Sequence, residues 1–470
     1  MPRSYDAKID AFVDAHRAEF LKDLESLVQI PSVRQLGSET APFGEPCAQA
    51  LEAALRLAER KGMRIQNCGN WYGLASSGAG KRRVGIFAHL DVVEPGEGWT
   101  YPPFSMTQQD GWLIGRGVGD DKLAAVLGVY TAQALEELRL AEHTELTLYL
   151  GCGEETGMED LKRYLCEQTE PDFSLVPDFL FPVSVGEPGR IKVRLRRLTS
   201  LETLEAFEGG TSKSRVPLSA SVRYTGNAAD AIRNAAIRRQ NMMLEETEGQ
   251  LRVQAAGRMA SPWRLDGSTN AIAELARFLA ESGALSPADV RCMNDLSSIA
   301  GETDGAYFEI DGGDALFGPL QCCCQQVGME EDHLCITLDI RHAPAISAEG
   351  IREAVASRAA MDGFAVTGFS ATAPWQYAQE DGKVALLCEC CADVTGQPAV
   401  SRTGGSTYAK LLRRAVNFGP KFRQKCPFLP TGHGELHGPD EVISAEAALD
   451  ALKIYIRAIA RLEEWYEANE

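Results

Sequence analysis

A chain of 470 residues, 44% hydrophobic and 24% charged, is long enough for two domains and can bury a substantial core without disulfide staples. Its formal charge of -19 argues against nucleic acid or anionic membrane as the main partner, and no apolar run approaches the roughly 20 residues of a membrane span. The polar, mixed-charge start from Met1 to Asp14 is not a signal peptide, and the 13 scattered cysteines, including Cys322 to Cys324 and Cys388 to Cys391, lack paired C-x-x-C spacing and read as reduced thiols of a cytoplasmic protein.

Asp6 to Val28 carries Ile9, Val13, Phe20, Leu24 and Leu27 at helical spacing, and Pro31 ends the run. A second helix is expected from Glu45 to Lys61, stopped by Gly62. Extended segments follow at Arg64 to Gln66, Tyr72 to Ala75 and Val84 to Ala88, then a helix from Lys122 to Leu138 and a buried strand from Glu145 to Leu150. Strands alternating with helices imply an α/β domain whose central sheet is covered by helices on both faces.

From about Arg190 the pattern changes. Ile191 to Arg197 and Val216 to Tyr224 alternate apolar and polar residues as half-buried strands do. Helical segments are expected at Ala228 to Arg238 and Asn270 to Ala280, and another strand at Leu334 to Arg341. This is an inserted α+β domain of roughly 185 residues. The α/β pattern resumes near Pro374 and closes in an amphipathic helix from Ala445 to Tyr466. The expected organisation is a discontinuous α/β domain, residues 1–189 and 375–470, interrupted by an α+β insert, residues 190–374.

With 7 histidines in the chain, each can be weighed. His89 and Asp91 stand at the end of the apolar strand Val84 to Ala88, and residues i and i+2 of an extended chain face the same way. That pairing suits a metal ligand beside an orienting carboxylate, or a plain strand-end histidine next to a solvated acid. Gly115-Arg116-Gly117-Val118-Gly119 then leads into Asp120-Asp121-Lys122 at a helix start, where two acids also serve as ordinary caps. The buried strand ending at Leu150 exits into Gly153-Glu154-Glu155-Thr156-Gly157. Paired carboxylates between glycines at a buried strand end are hard to explain as a solvated face. Asp178 and His437, with His433, add further donors. Strand ends of an open α/β sheet converge on one edge, and His, Asp and Glu donors without thiolates suit Zn²⁺ or a similar hydrolytic ion.

These motifs, in this order, resemble the metallopeptidase and deacylase family that includes PepV-type dipeptidases, carnosinases and succinyl-diaminopimelate desuccinylases. The resemblance is densest in Ala88 to Val93, Gly96 to Phe104 (with Trp99-Thr100-Tyr101-Pro102-Pro103-Phe104) and Gly115 to Lys122, and it is nearest to the PepV type. It implies a catalytic domain with an inserted lid domain, and hydrolysis of a peptide bond in a small peptide by a water held between two metal ions. Zn²⁺ is the expected ion, with Mn²⁺ or Co²⁺ as alternatives. It implies that His89 and Asp178 hold one ion, Glu155 and His437 the other, and that Asp120 bridges them. Asp91 would orient His89, and Glu154 would be the general base. Arg341 would take the substrate carboxylate, unless it is a plain strand arginine. Gly404, Gly405 and Ser406 match a glycine-rich loop beside the substrate, with serine where a third glycine is usual. A monomer is expected rather than a dimer.

Two positions depart from the pattern. Ser261 stands where the family's lid carries a histidine, and Ser214 where it carries an asparagine. A serine hydroxyl has shorter reach than imidazole and no positive charge. Three readings therefore compete: a dipeptidase with a rebuilt lid, an amidohydrolase for N-acyl or N-carbamoyl amino acids, and a non-catalytic relative that binds peptide or metal. An intact Glu154 argues against the last, because a merely structural metal site needs no base.

Overall fold

Side-chain alternation explains how one sheet buries both faces. In the computed structural model, which describes residues 3–204, 206–211, 216–225, 228–236, 239, 241–247, 250–259, 265–310 and 312–469, six strands form a mixed sheet. Their order is Arg64–Cys68, Tyr72–Ser77, Thr144–Gly151, Arg82–His89, Phe173–Val176 and Ala415–Asn417. The first three pair antiparallel and the last four parallel. On one face Phe87 and Tyr149 stack at 5.0 Å, Tyr72 stacks on Tyr149 at 5.4 Å, and Tyr164 of the helix Glu159–Glu167 closes edge-on against them. The next residue along, Leu148, points the other way into the helix Lys122–Leu138, where Gly128 leaves it room: a Cβ there would lie 2.6 Å from Leu148 Cδ1. The long helices Asp6–Val28 and Ala445–Asn469 pack on that same helix. Arg457 ties the two ends of the chain together, its Nε 3.1 Å from Asp6 Oδ1.

The chain divides into two compact units, Met1–Glu187 with Gln376–Glu470, and Pro188–Trp375. The second unit is an eight-stranded antiparallel sheet, in the order Met242–Thr247, Gln250–Ala256, Ser219–Thr225, Ala206–Gly210, Gln321–Glu330, His333–His342, Gly189–Arg197 and Phe364–Thr372. Ile191, Val193 and Leu195 are fully buried, whereas the intervening Lys192 and Arg194 are not. The buried face carries the helices Ala271–Glu281, Pro287–Gly301 and Ala348–Met361. Cys322 and Cys324 belong to this core, which explains their thiols without invoking a metal.

Among the described residues the expected elements recur with small shifts that have local causes; Ile237 and Arg238, the expected end of one helix, lie outside them. The strand expected from Val216 begins at Ser219, because Pro217 cannot donate to a ladder. Asn270, expected as the first residue of a helix, is its cap: the Oδ1 accepts the Ile272 N–H at 2.9 Å.

Candidate metal centre

The donors sit where strands of the first sheet end. His89 closes its strand opposite Gly151, and Glu154 and Glu155 follow on a single 3-10 turn, Glu154–Thr156. Asp178 follows the strand Phe173–Val176, and Asp120 precedes the helix Lys122–Leu138. The register of parallel neighbours therefore delivers residues distant in sequence to one edge.

His89 is buried, and its Nδ1 donates to the Asp91 carbonyl oxygen at 2.9 Å. With the proton on Nδ1, the Nε2 lone pair faces Asp120 Oδ1 at 3.2 Å and Asp178 Oδ2 at 3.8 Å. His437, held at φ 60, brings its Nε2 to 3.1 Å from Asp120 Oδ2 and 2.9 Å from Glu155 Oε1. Asp120 thus offers one oxygen to each histidine. Two donor sets, His89 with Asp120 and Glu155, and His89 with Glu154 and Asp178, each have their ligand atoms within 4.8 Å of one another and could hold an ion. Glu154, expected only as a base, also falls within a donor set. Its Oε1 is buried without a hydrogen-bond partner among the described residues, an orphaned acceptor that a cation would satisfy. The donor set therefore fits divalent metal.

Asp91 acts more on the glutamates than on the histidine. One carboxylate oxygen lies 3.5 Å from His89 Nδ1, while the two oxygens accept the main-chain N–H groups of Glu154 and Glu155 at 3.2 and 3.1 Å. Burial disfavours every charge in this cluster, and neighbouring charges reinforce it at some groups and oppose it at others. Burial, reinforced by the Asp178 carboxylate, lifts Glu154 well above the usual carboxylate range. Burial pushes Asp178 up to about 7 even though Lys421 opposes it. Asp120 lies well below its ordinary value because Lys421, His437 and His89 outweigh its burial. Burial disfavours the cations of both histidines, but hydrogen bonds to Asp120 and Asp91 lift His89 well above its ordinary value, and bonds to Asp120 and Glu155 lift His437 to about 10. A bound divalent cation reverses this balance: it ionises carboxylates and displaces protons from imidazole.

Two residues that the sequence did not single out complete the centre. Glu441 is fully buried and accepts the N–H groups of Gly117, Gly119 and Asp120 at 3.2, 3.0 and 3.1 Å, while Arg116 pairs with it at 2.6 Å. The glycine-rich run before Asp120 is thereby wrapped around one carboxylate. Its position four residues after His437 was the only available signal. The second is Lys421, whose Nζ lies 3.2 Å from Asp178 Oδ1 and 3.5 Å from Asp120 Oδ1. No motif announced it. His433, counted with the donors on its sequence position, pairs instead at 2.7 Å with Asp440, whose other oxygen accepts the N–H groups of Thr100 and Tyr101.

The glycine-rich loop adopts backbone that side chains resist. Gly404 and Gly405 have φ of 138° and 102°, and a Cβ on Gly404 would lie 2.6 Å from the ring of Phe179, the residue after Asp178. The Ser406 hydroxyl accepts from Lys410 Nζ at 2.9 Å. Arg341 belongs to the other unit, on the strand His333–His342, with its Nε 3.7 Å from Asp339 Oδ1. Ser214 and Ser261 lie outside the described residues, as do the neighbouring cations Lys213, Arg215 and Arg264.

Residues 85–461 match the model of peptidase family M20/M25/M40. The chain is 26% identical over 476 residues to the Beta-Ala-Xaa dipeptidase of Lactobacillus delbrueckii subsp. lactis, covering 97% of this chain and 98% of that one. Its fold is similar to human carnosine dipeptidase 1, with a TM-score of 0.59 at 14% identity, covering 99% of this chain and all of the other. It is similar also to the dipeptidase Dug1p from Saccharomyces cerevisiae, with a TM-score of 0.59 at 12% identity and 98% of each chain covered. A family match spanning most of the chain, over a buried cluster of histidine and carboxylate donors, places this protein in peptidase family M20/M25/M40 as a metallopeptidase.

Proposed function

We propose that this peptidase is a dipeptidase using two divalent ions, Zn²⁺ first, with Mn²⁺ or Co²⁺ as alternatives. His89 and Asp178 would hold one ion and Glu155 and His437 the other, with Asp120 shared. The observation that carries this reading is Asp120, whose two oxygens face two different histidines. When bound, such ions polarise the scissile carbonyl and make a water nucleophilic at neutral pH. Glu154 takes the proton of the attacking water and returns it to the leaving amine. Asp91 keeps Glu154 and Glu155 in position through their main-chain N–H groups. Arg341 is the candidate for the substrate carboxylate, and the Gly404-Gly405-Ser406 loop the candidate for the substrate backbone. The names of the relatives, which include a Beta-Ala-Xaa dipeptidase and a carnosine dipeptidase, support a small peptide as substrate. Thirteen free thiols support a reducing compartment, the cytoplasm, and we take the working form to be a monomer.

The serines at 261 and 214 favour a second reading, an N-acyl or N-carbamoyl amino-acid amidohydrolase. A panel of dipeptides and acyl amino acids, offered to metal-loaded protein with Glu154→Ala as control, separates the two. Hydrolysis of acyl amino acids alone would overturn the dipeptidase reading.

A further inference from the structure

Lys421 occupies a position that the reaction above does not require. Pro420–Lys421 pairs in parallel with Phe179–Leu180, immediately after Asp178. The Phe179 N–H donates to the Gly419 carbonyl oxygen at 2.7 Å, and the Phe181 N–H to that of Lys421 at 2.9 Å. The backbone of the lysine is thus locked beside the backbone of the carboxylate. Its side chain is buried, and the ammonium reaches Asp178 Oδ1 at 3.2 Å and Asp120 Oδ1 at 3.5 Å. The other half of the centre is built differently. There Asp120 presents Oδ2, and the partner of both Asp120 and Glu155 is the imidazole of His437, whose ring nitrogen is itself a metal-donor group. An ammonium has three donors and no lone pair while charged, so it competes with metal and cannot ligate it.

Resting on the two-metal reading above, we propose that Lys421 is a resident cation of the His89–Asp178 half of the centre and makes the two metal positions unequal. The Glu155–His437 position fills first. The His89–Asp178 position must share Asp178 and Asp120 with the ammonium, and it lies within a few ångströms of a like charge that buried surroundings screen poorly. Its ion is therefore the weaker and more exchangeable one. Turnover then follows free metal concentration over a range in which the first position is already full.

The test is metal binding by the 470-residue apo-protein, followed by calorimetry with Mn²⁺ and Zn²⁺ and by metal analysis after dialysis. Wild type should bind in two steps, the second weaker by about tenfold or more. Lys421→Met and Lys421→Gln should each tighten the second step by about tenfold and leave the first unchanged. Asp178→Asn should remove the weaker step alone. Two equal steps in wild type, unmoved by either lysine variant, would overturn the proposal and leave the two-metal reading standing. Binding that never passes one ion in any protein would overturn both. Circular dichroism checks that the variants fold. Should both lysine variants unfold, Asp178→Asn decides, since loss of the tighter ion in that protein overturns the assignment.

Discussion

The carboxylate of Asp91 accepts the main-chain N–H of Glu155 at 3.1 Å, and its other oxygen accepts that of Glu154 at 3.2 Å. One buried acid therefore fixes the turn that carries both Glu155, the proposed ligand, and Glu154, the proposed base. Asp91→Asn keeps the size but turns an N–H₂ group toward one of those donors. We expect kcat to fall about 10–100-fold with little change in KM, as for other groups that orient ligands. Steady-state kinetics beside metal analysis checks this, and wild-type turnover in the variant would remove the role.

On the proposed reading, the neighbours Glu154 and Glu155 have separable duties, base and ligand. Glu154→Gln should lower turnover by about 10²–10⁴ while bound metal persists. Asp120→Ala should lose metal as well, because it faces both histidines. Equal metal loss in the two variants would show that Glu154 serves mainly as a ligand.

The Arg116–Glu441 pair is buried on both sides, with side-chain exposures of 1% and 0%. Removing one partner strands the other charge. Arg116→Met is expected to destabilise the fold by about 3–5 kcal/mol, read from urea denaturation. A loss below about 1 kcal/mol, typical of exposed pairs, would contradict the buried geometry.

Lys122 gives a pH signature. Its buried Nζ donates to the Ile30 carbonyl oxygen at 2.5 Å, and burial lowers its pKa from 10.5 to about 7. Between those values the unfolded chain binds a proton that the native state does not, so stability rises with pH across that window. The penalty is fully present below about 7 and is relieved as pH approaches 10.5. Lys122→Met should flatten the stability difference between about pH 7 and about pH 10. An unchanged slope in chemical denaturation would assign the effect to other groups.

Ser261 and Ser214 allow the inserted domain to be tested by restoration. If they retune the site, ordinary dipeptides are poor substrates of the wild type, and Ser261→His with Ser214→Asn improves them. The loss of one oxyanion donor, about 10²–10³ in other hydrolases, sets the size of the gain to look for. High wild-type activity on alanine-containing dipeptides would rule retuning out.

Periodicity and short-range motifs carried a good deal of this site. His89 and Asp91 are two residues apart at a strand end, Glu154 and Glu155 are adjacent between glycines, and Asp120 lies just before a helix, so the local chain context marked each of them. The alternation of Ile191, Val193 and Leu195 revealed a half-buried strand for the same reason: a side-chain period of two is written into the sequence. Strand ends were less legible, since Arg82 and Arg83 extend their strand past the apolar stretch through backbone hydrogen bonds that no side chain announces.

What only the tertiary structure decided are the partners across long separations. Glu441 meets Gly117 from 324 residues away, and Lys421 meets Asp178 from 243 residues away. Nothing in the local pattern of Gly419-Pro420-Lys421 distinguishes an exposed lysine from a buried one. Its place is set by the pairing of Pro420–Lys421 with Phe179–Leu180, and register between distant segments depends on how whole sheets and helices pack. The sequence by itself determined which side chains could bind metal, because donor chemistry belongs to single residues. Which of them lie within reach of one another, and which buried acid holds the Glu154–Glu155 turn, depended on strand pairing, because that sets the distances on which those interactions act.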